Sequence, residues 1–269
     1  MSGEPPLRIA LGLSYRGRAY RGWQSQPGGA TVQDRLEHAL REFTGAPLRV
    51  VCAGRTDAGV HALQQVVHFD SPVTRSAESW VRGLNTFLPE DVAVLWSREP
   101  GAGFHAQKSA LSRRYRYLLV QQRVRPALLH GLVGWTHDAL DLPAMREAAA
   151  QLLGSHDFSA FRASSCQARS PCKTLHAIDI TLADDARTWC FDFHANAFLH
   201  HMVRNIMGCL LAVGSGRRVP SWLGEVLRAG SRSLAAPTFM ADGLYFAGPV
   251  YAAQWKIPGP AAGLPLLLA

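Results

Sequence analysis

One order of secondary-structure elements is predicted twice along this 269-residue chain, and it restricts the possible folds more than any single motif does. Alternating strand patterns, capped helical patterns and turn signals give strand, helix, strand, strand, helix, strand in each half. That is the order of a split β-α-β unit of the ferredoxin-like type. We therefore expect two α+β halves, residues 1–106 and 107–269, without a repeat at the level of individual residues.

The predicted bounds follow from caps, breakers and apolar periodicity. In the first half they are a strand at 7–15, a helix at 32–43 capped by Thr31, strands at 48–52 and 65–69, a helix from its cap Ser76 to about 88, and a strand at 92–96. In the second half they are a strand at 112–121, a helix from its cap Asp141 to Gly154, strands at 173–182 and 188–193, helices at 197–213 and from Pro220, and a strand at 244–250. The two sheets could merge and leave a cleft between the halves.

Charge indicates an anionic partner. Lys and Arg total 28 against 20 Asp and Glu, which gives a formal charge of +8 and a pI near 9.7. Such a surplus favours nucleic acid, a membrane surface or an acidic substrate. The sequence has no P-loop, no Gly-x-Gly-x-x-Gly fingerprint, no Gly-x-Ser-x-Gly elbow and no His-Glu-x-x-His motif. The corresponding nucleotide, hydrolase and zinc-protease sites are therefore not indicated.

Cysteine spacing and hydropathy predict a cytoplasmic protein. The five cysteines are odd in number and no two are spaced Cys-x-x-Cys, so reduced thiols are expected rather than a disulfide framework or a zinc ribbon. Residues 1–6 do not resemble a signal peptide. The most apolar stretch, 197–213, contains His200, His201, Arg204 and Asn205, which argues against a membrane span. The two histidines are adjacent on this predicted helix, so their rings would point about 100° apart and no metal site is expected.

The segment 52–61, CAGRTDAGVH, is the densest in special-purpose residues. Gly54 and Gly59 would permit a tight turn with positive φ. Arg55 and Asp57 lie two residues apart on that turn. They could form a local pair that only holds the loop. Alternatively, Asp57 could be an ionised carboxylate presented at the rim of a sheet, where it can act as a nucleophile.

Six further segments accompany CAGRTDAGVHALQQVVHF in a fixed order: GWQSQP, FHAQKSA, RRYRYLL, LLGSHDFSAFRA, ANAFLHHMVRNIMG and DGLYF. Together they resemble the tRNA pseudouridine synthase A family over roughly residues 7–250. The resemblance implies the pseudouridine synthase fold, an α+β fold with two ferredoxin-like (RRM-like) halves. It also implies that their mostly antiparallel sheets merge beside a central cleft.

The resemblance also assigns roles to residues of the pocket. Asp57 matches the family's nucleophilic aspartate, and Tyr115 matches a tyrosine that stacks on the target uracil and takes part in removing the proton from C5. Arg204 matches an arginine that pairs with the aspartate, and Leu244 matches an apolar residue of the uracil pocket. Tyr117, two residues after Tyr115 on the same strand face, is expected to be a core residue. No cofactor or metal is implied.

Other positions match family contacts to RNA. Arg55 matches an arginine that holds the RNA helix open once the base is flipped. The remaining matched positions are Arg75, Arg123, Thr136, the stretch Phe104, His105, Ala106, Gln107 and Lys108, and the stretch Ser165, Cys166, Gln167, Ala168 and Arg169. The family usually has Arg and then an aromatic residue after Phe-His-Ala. Gln107 and Lys108 stand there instead, so contact with tRNA at this stretch is expected to be weakened or re-aimed.

The predicted activity is the isomerisation of uridine to pseudouridine at positions 38, 39 and 40 of the anticodon stem-loop, by an Asp nucleophile acting on a flipped-out uridine. Resemblance also implies a homodimer with one tRNA lying across both subunits. Three alternatives stay open: another structured-RNA uridine, a non-catalytic RNA-binding or RNA-folding protein on the same scaffold, and a carboxylate-dependent hydrolase. The hydrolase would require a second carboxylate, for which Asp70 is the nearest candidate.

Overall fold

The structure is a computed structural model that describes residues 7–261 as two compact units. The described part of one unit comprises residues 7–111 and 246–261, and the other comprises residues 112–245. Within these ranges the chain forms ten strands and five α-helices, which confirms the predicted α+β class.

The first unit contains β1 (Leu7–Tyr15), α1 (Val32–Thr44), β2 (Val51–Cys52), β3 (His61–Ser71), α2 (Ala77–Phe87) and β4 (Val92–Arg98). Strand β1 lies between β4 and β3 and is antiparallel to both, while β2 pairs antiparallel with β3. This arrangement is the strand order expected for a split β-α-β unit.

The second unit contains β5 (Ala110–Gln121) from Ser112 onward, together with β6 (Gly134–Thr136), α3 (Leu142–Ala150), β7 (Gly154–Asp157), β8 (Cys172–Leu182), β9 (Thr188–Ala195), α4 (Met202–Gly214) and α5 (Ser221–Ala229). Its strands follow the order β5-β9-β8-β7 with antiparallel neighbours, and β6 is added parallel to β5. Strand β10 (Leu244–Tyr251) begins in this unit and ends in the first.

The segment after β10 belongs with the first unit, whereas the predicted division assigned it to the second half. Its placement has a packing reason. The rings of Tyr251 and Trp255 lie 5.1 and 5.5 Å from the ring of Phe104, which is fully buried. The returning chain thus completes an apolar cluster that also contains Ala106 and Val66. Burial of aromatic surface of this kind is among the larger stabilising contributions in a domain.

Local capping sets the helix ends in the way the sequence predicts. The Thr31 side chain accepts the Asp34 N–H and the Asp34 side chain accepts the Thr31 N–H, which forms a capping box at the start of α1, and Gly45 caps its end with φ of 74°. Ser76 and Asp141 cap α2 and α3 by accepting hydrogen bonds from the backbone three residues on. These three starts are confirmed.

Two predicted helix bounds are wrong. Helix α4 begins at Met202 rather than 197, because His201 adopts a left-handed backbone with φ of 63° that no α-helix can contain. Before it, the Asn196 side chain accepts hydrogen bonds from the backbone of Thr174 and Ala197, which holds the chain in a turn. The predicted continuation of α3 to Gly154 is also wrong, since α3 ends at Ala150 and a strand starts at Gly154.

The short strands β6 and β7 were not predicted, because three or four residues are too few to show a period. No helix among residues 7–261 is long and apolar enough to cross a membrane.

Candidate functional site

Asp57 lies in the turn between β2 and β3, and its side chain is half-buried while that of Arg55 is exposed. The backbone N–H of Val60 donates to the Asp57 carbonyl at 3.2 Å, which closes the turn. Of the two glycines expected to have positive φ, Gly59 does, at 81°, whereas Gly54 does not and faces the ring of Phe246. The turn therefore holds the Asp57 backbone in one conformation.

The GWQ segment, residues 22–24, restrains the main chain of this turn through one hydrogen bond and one close contact. The N–H of Trp23 donates to the Thr56 carbonyl at 3.0 Å. Gly22, at φ of 92°, approaches so closely that a Cβ there would lie 2.8 Å from the same carbonyl oxygen. A residue with a side chain cannot occupy this position without moving the Asp57 turn. Gly22 of the GWQ motif thus has a direct structural purpose.

Two buried polar side chains complete the support, and sequence reasoning missed both. The Tyr15 hydroxyl and the Thr56 hydroxyl share a hydrogen bond of 2.9 Å, and Gln65 donates to the Gly54 carbonyl at 2.6 Å. Burial raises the pKa of Tyr15, so its phenol stays protonated. The signal that could have found these residues is a polar group on an otherwise apolar strand pointing inward, since such groups are buried only with partners.

Tyr115 lies on β5 opposite Phe193 of β9 and is half-buried. Its ring meets that of Phe198 edge to face, with centroids 5.0 Å apart. Two residues further, Tyr117 is fully buried and donates to the Met240 carbonyl at 3.0 Å, which confirms its expected role in the core. One face of β5 therefore carries a packed tyrosine beside a partly accessible one.

Arg204 lies in the first turn of α4, where its Nε donates to the Phe239 carbonyl at 2.9 Å. The Phe239 N–H in turn donates to the Arg204 carbonyl at 3.1 Å. The chain around Phe239 runs close to the helix because Gly208 allows it, and a Cβ at Gly208 would lie 2.2 Å from the Pro237 carbonyl oxygen. The Arg204 guanidinium is therefore tethered to a segment that lies directly against its own helix.

Beside Arg204, the fully buried Asn205 joins three segments of the second unit. Its amide donates to the Phe161 carbonyl at 2.7 Å, and its oxygen accepts from the Thr238 hydroxyl at 2.6 Å and from Arg232 at 3.2 Å. Because Thr238 precedes Phe239, this amide also fixes the peptide that receives the Arg204 guanidinium. Sequence reasoning noted Asn205 as a polar residue of the apolar 197–213 stretch and gave it no role.

The 104–108 stretch divides into buried and accessible side chains. Phe104 and Ala106 are fully buried, and Gln107 and Lys108 are exposed. His105 is partly exposed and accepts the backbone N–H groups of Gln107 and Lys108 through Nδ1 at 3.2 Å. Any side-chain contact of this stretch with RNA is therefore limited to its last two residues and His105.

A buried histidine anchors that stretch. His68 accepts the Ala106 N–H at 3.2 Å, and its ring lies 4.8 Å from the ring of His105. Burial, with His105 and Arg8 nearby, lowers the pKa of His68 to about 4, so the ring is neutral at pH 7 and able to accept. Arg8 is held by both carboxylate oxygens of Asp70, at 2.7 and 2.8 Å.

The 165–169 stretch is more open, with Ser165, Gln167 and Arg169 exposed. Arg162 organises it by donating to the carbonyls of Cys166 and Ala168 at 2.5 and 3.1 Å. Burial alone would raise the pKa of the Cys166 thiol, but hydrogen bonds from the Ala168 and His200 backbone and from Arg162 lower it overall. Ser165 is also 3.2 Å from His200 Nδ1, which ties the stretch to the chain preceding α4.

The remaining predicted positions differ in accessibility. Arg75 and Arg123 are exposed, whereas Thr136 is buried on β6, where its hydroxyl accepts the Asp138 N–H at 3.1 Å. Leu244 is buried at the start of β10. His200 and His201 precede α4 rather than lying on it, and their rings are 4.1 Å apart, so the helical argument against their common approach to an ion is wrong.

The profile of the family described as tRNA pseudouridine synthase matches residues 13–107, which include the Asp57 turn and residues 104–107, and residues 148–252, which include the 165–169 stretch and Arg204. Tyr115, Arg123 and Thr136 lie between the two matched ranges. The chain belongs to this family. It is 62% identical to tRNA pseudouridine synthase A of Methylibium petroleiphilum, over 94% of this chain and 96% of that protein. It is 58% identical to the protein of the same name from Paracidovorax citrulli (94% and 96% covered) and 57% to that from Polaromonas naphthalenivorans (95% and 98% covered).

These matches confirm the family read from the motifs, the pseudouridine synthase fold and the enzyme class, an isomerase. The roles of individual residues, the merging of the sheets and the cleft stay predictions.

Proposed function

We propose that the protein isomerises uridine to pseudouridine at positions 38, 39 and 40 of the tRNA anticodon stem-loop, with Asp57 as the nucleophile. The observation that carries the proposal is the near full-length similarity to proteins named tRNA pseudouridine synthase A, with Asp57 on a turn that is fixed on its main chain. The N1–C1′ bond breaks, the uracil rotates and C5 bonds to C1′. C5 then loses its proton and N1 gains one, so no external group donor is needed.

Asp57 suits this chemistry because it is half-buried and fixed by its turn. A held carboxylate needs little reorganisation to reach C1′ or the base, or to assist formation of a glycal. Arg204 is proposed to keep Asp57 ionised, since a nearby cation lowers the pKa of a carboxyl group. Its tether to the Phe239 carbonyl leaves it one preferred direction.

Tyr115 is proposed to stack on the uracil and to take part in removing the C5 proton. An unperturbed phenol titrates near 10, so direct proton abstraction would need a lowered pKa or a relaying water molecule. Its half-buried ring, braced by Phe198, supports stacking on a planar base. Leu244 is proposed as an apolar wall of the same pocket.

Contact with tRNA is proposed to involve Arg55, Arg75 and Arg123, whose side chains are exposed. Flipping a base out of its stack costs a few kcal/mol, and Arg55 beside the nucleophile could offset that by stacking and hydrogen bonding. Gln107 and Lys108 supply the accessible part of the 104–108 stretch. A homodimer and a cytoplasmic location belong to the same proposal.

The test is release of tritium from tRNA that carries [5-³H]uracil, followed by mapping of the product. Wild type should release tritium from positions 38–40, and Asp57→Asn should bind the tRNA without releasing it. Asp70→Asn is the matched control, because Asp70 is an exposed aspartate of the same unit that pairs with Arg8. It should retain activity.

Three outcomes separate the alternatives. Binding without release by wild type would favour the non-catalytic RNA-binding protein. Release of tritium from uridines outside positions 38–40 would support the same reaction at another structured-RNA uridine. Release of labelled uracil instead of tritiated water, abolished in both Asp57→Asn and Asp70→Asn, would favour the two-carboxylate hydrolase.

A further inference from the structure

One face of the sheet in the second unit carries a group of polar residues that the proposed site does not use. Strand β5 places Ser112, Arg114 and Arg116 on this face, since alternate residues of a strand share a side. On the neighbouring strand β9, Asp192 lies opposite Arg116 and His194 lies opposite Arg114. The face thus offers two arginines in matching positions with different partners.

Arg116 is neutralised. Its Nε and Nη2 donate to the two carboxylate oxygens of Asp192 at 2.7 and 2.9 Å, a bidentate pair. Asp179 of β8 lies opposite Asp192 in the sheet, so it adds a second carboxylate at the Arg116 end of this face.

Arg114 lies two residues before Arg116 on the same strand. Its neighbours on β9 and β8 are imidazoles, whereas the neighbour of Arg116 on β9 is the carboxylate of Asp192. Strand β8 contains a bulge between Leu175 and Ala177, where two residues of β8 face one of β9. Bulges re-aim side chains, and here His176 is brought beside His194, with ring centroids 4.8 Å apart. His194 Nε2 also lies 2.8 Å from the Ser112 hydroxyl, which fixes its ring. Arg114, His176 and His194 are named the Arg114 patch below.

The patch lacks a counter-charge of its own. Among the described residues, no ion pair includes any of its three members. Arg114 and His176 are exposed and His194 is half-buried. Burial, then Arg114 and His176, lower the pKa of His194, which shows that a positive charge on this ring is disfavoured as the patch stands.

We infer that the Arg114 patch is a binding site for a phosphate group of the tRNA backbone. The inference rests on the proposed function for the identity of the RNA. A guanidinium beside two imidazoles places several N–H groups on one small area of the sheet, which suits the oxygens of a phosphodiester. A metal cation would be repelled by Arg114, and a neutral ligand would leave the charge of Arg114 uncompensated.

The first test compares Arg114→Gln with Arg187→Gln. Arg187 is an exposed arginine of the same unit, in the β8–β9 turn beside Asp185, so both variants lose one charge. Measured by fluorescence anisotropy with labelled tRNA, Arg114→Gln should raise Kd by roughly three- to tenfold and reduce the slope of log Kd against log[salt] by about one. Arg187→Gln should stay within about twofold of wild type, and Arg114→Lys should recover the salt slope.

The rate of tritium release at saturating tRNA should be unchanged in Arg114→Gln. Equal affinities for the Arg114 and Arg187 variants, or a lost rate with unchanged Kd, would overturn the inference. A wild-type protein that binds tRNA and does not release tritium would refute the proposed function instead. The comparison of Kd between the Arg114 and Arg187 variants would still show whether the Arg114 patch binds phosphate.

The second test uses pH. A bound phosphate raises the pKa of nearby imidazoles, so binding takes up protons and wild-type affinity should rise as pH falls from 7.5 to 5.5. The charged and titratable groups that the strand register places on the same sheet face as these rings include Arg114 and Arg116 on β5, Cys190 and Asp192 on β9, and Asp179 on β8. The double variant His176→Gln/His194→Gln should show a flatter dependence, and one as steep as wild type would exclude the imidazoles from the site.

Discussion

The Asp57 turn and the Arg204 segment are held in different ways. Around Asp57 the restraints act on the main chain: the carbonyls of Gly54 and Thr56 accept from Gln65 and Trp23. Around Arg204 the restraints pass through the amide side chain of Asn205 and the peptide at Phe239. A turn held by its main chain tolerates a change in its own side chains, whereas a segment held through one buried amide depends on that amide.

The largest effect is expected from Asp57→Asn. The exchange removes the carboxylate charge with little change in volume, and the turn keeps its main-chain hydrogen bonds. The single-turnover rate of pseudouridine formation should fall by on the order of 10⁴-fold or more, with a free energy of unfolding within about 0.5 kcal/mol of wild type. A large loss of stability would mean that the Asp57 side chain itself holds the turn.

Asn205→Ala should be the most damaging to stability. It leaves the Phe161 carbonyl, the Thr238 hydroxyl and one donor of Arg232 without their buried partner. Each buried polar group left unpaired costs about 1–3 kcal/mol, so a loss of roughly 3 kcal/mol is expected in urea unfolding. Asn196→Ala is a weaker comparison on a half-buried amide with two backbone partners. Equal losses of unfolding free energy in the two variants would contradict the idea that the Arg204 segment depends on the Asn205 amide.

The contrast also marks what a sequence can predict. The starts of α1, α2 and α3 follow from Thr31, Ser76 and Asp141. A capping side chain bonds to the backbone only three residues further along, so the sequence alone shows both partners. The Asp57 turn stands out by its residue types and by family resemblance.

The tertiary partners could not be predicted in the same way. The partners of Asn205 lie 27, 33 and 44 residues away along the chain, and no periodicity links them. The predicted start of α4 was wrong for a similar reason. The Asn196 amide holds the chain in a turn before the helix, and it bonds to Thr174 on another strand. The bulge that turns His176 toward His194 likewise depends on the pairing register of β8 and β9.

Gly22→Ala tests the main-chain restraint from outside the turn. The new Cβ would lie 2.8 Å from the Thr56 carbonyl oxygen at a backbone with φ of 92°, so either the alanine is strained or the Asp57 turn moves. A destabilisation of about 2 kcal/mol is expected, together with a lowered single-turnover rate and an unchanged Kd for tRNA. Gly45→Ala, with φ of 74° and open space around it, has the strain without the contact. An equal loss of rate in both variants would show that strain alone, rather than movement of the turn, is responsible.

The smallest effect is expected from Tyr15→Phe. It removes the buried hydroxyl that bonds to the side chains of Thr56 and Gln65, and it leaves the ring packed against Trp23, 5.9 Å away. A loss of about 1 kcal/mol in stability is expected, and the single-turnover rate should fall only a few-fold because Trp23 and Gln65 still hold the turn. Tyr20→Phe also removes a phenol hydrogen bond in the same unit, to Asp91, without touching the Asp57 turn, so it should lose stability and keep its rate. If Tyr15→Phe were instead nearly inactive while binding tRNA normally, side-chain bonding would dominate at the turn as it does at Asn205, and the difference between the two regions would disappear.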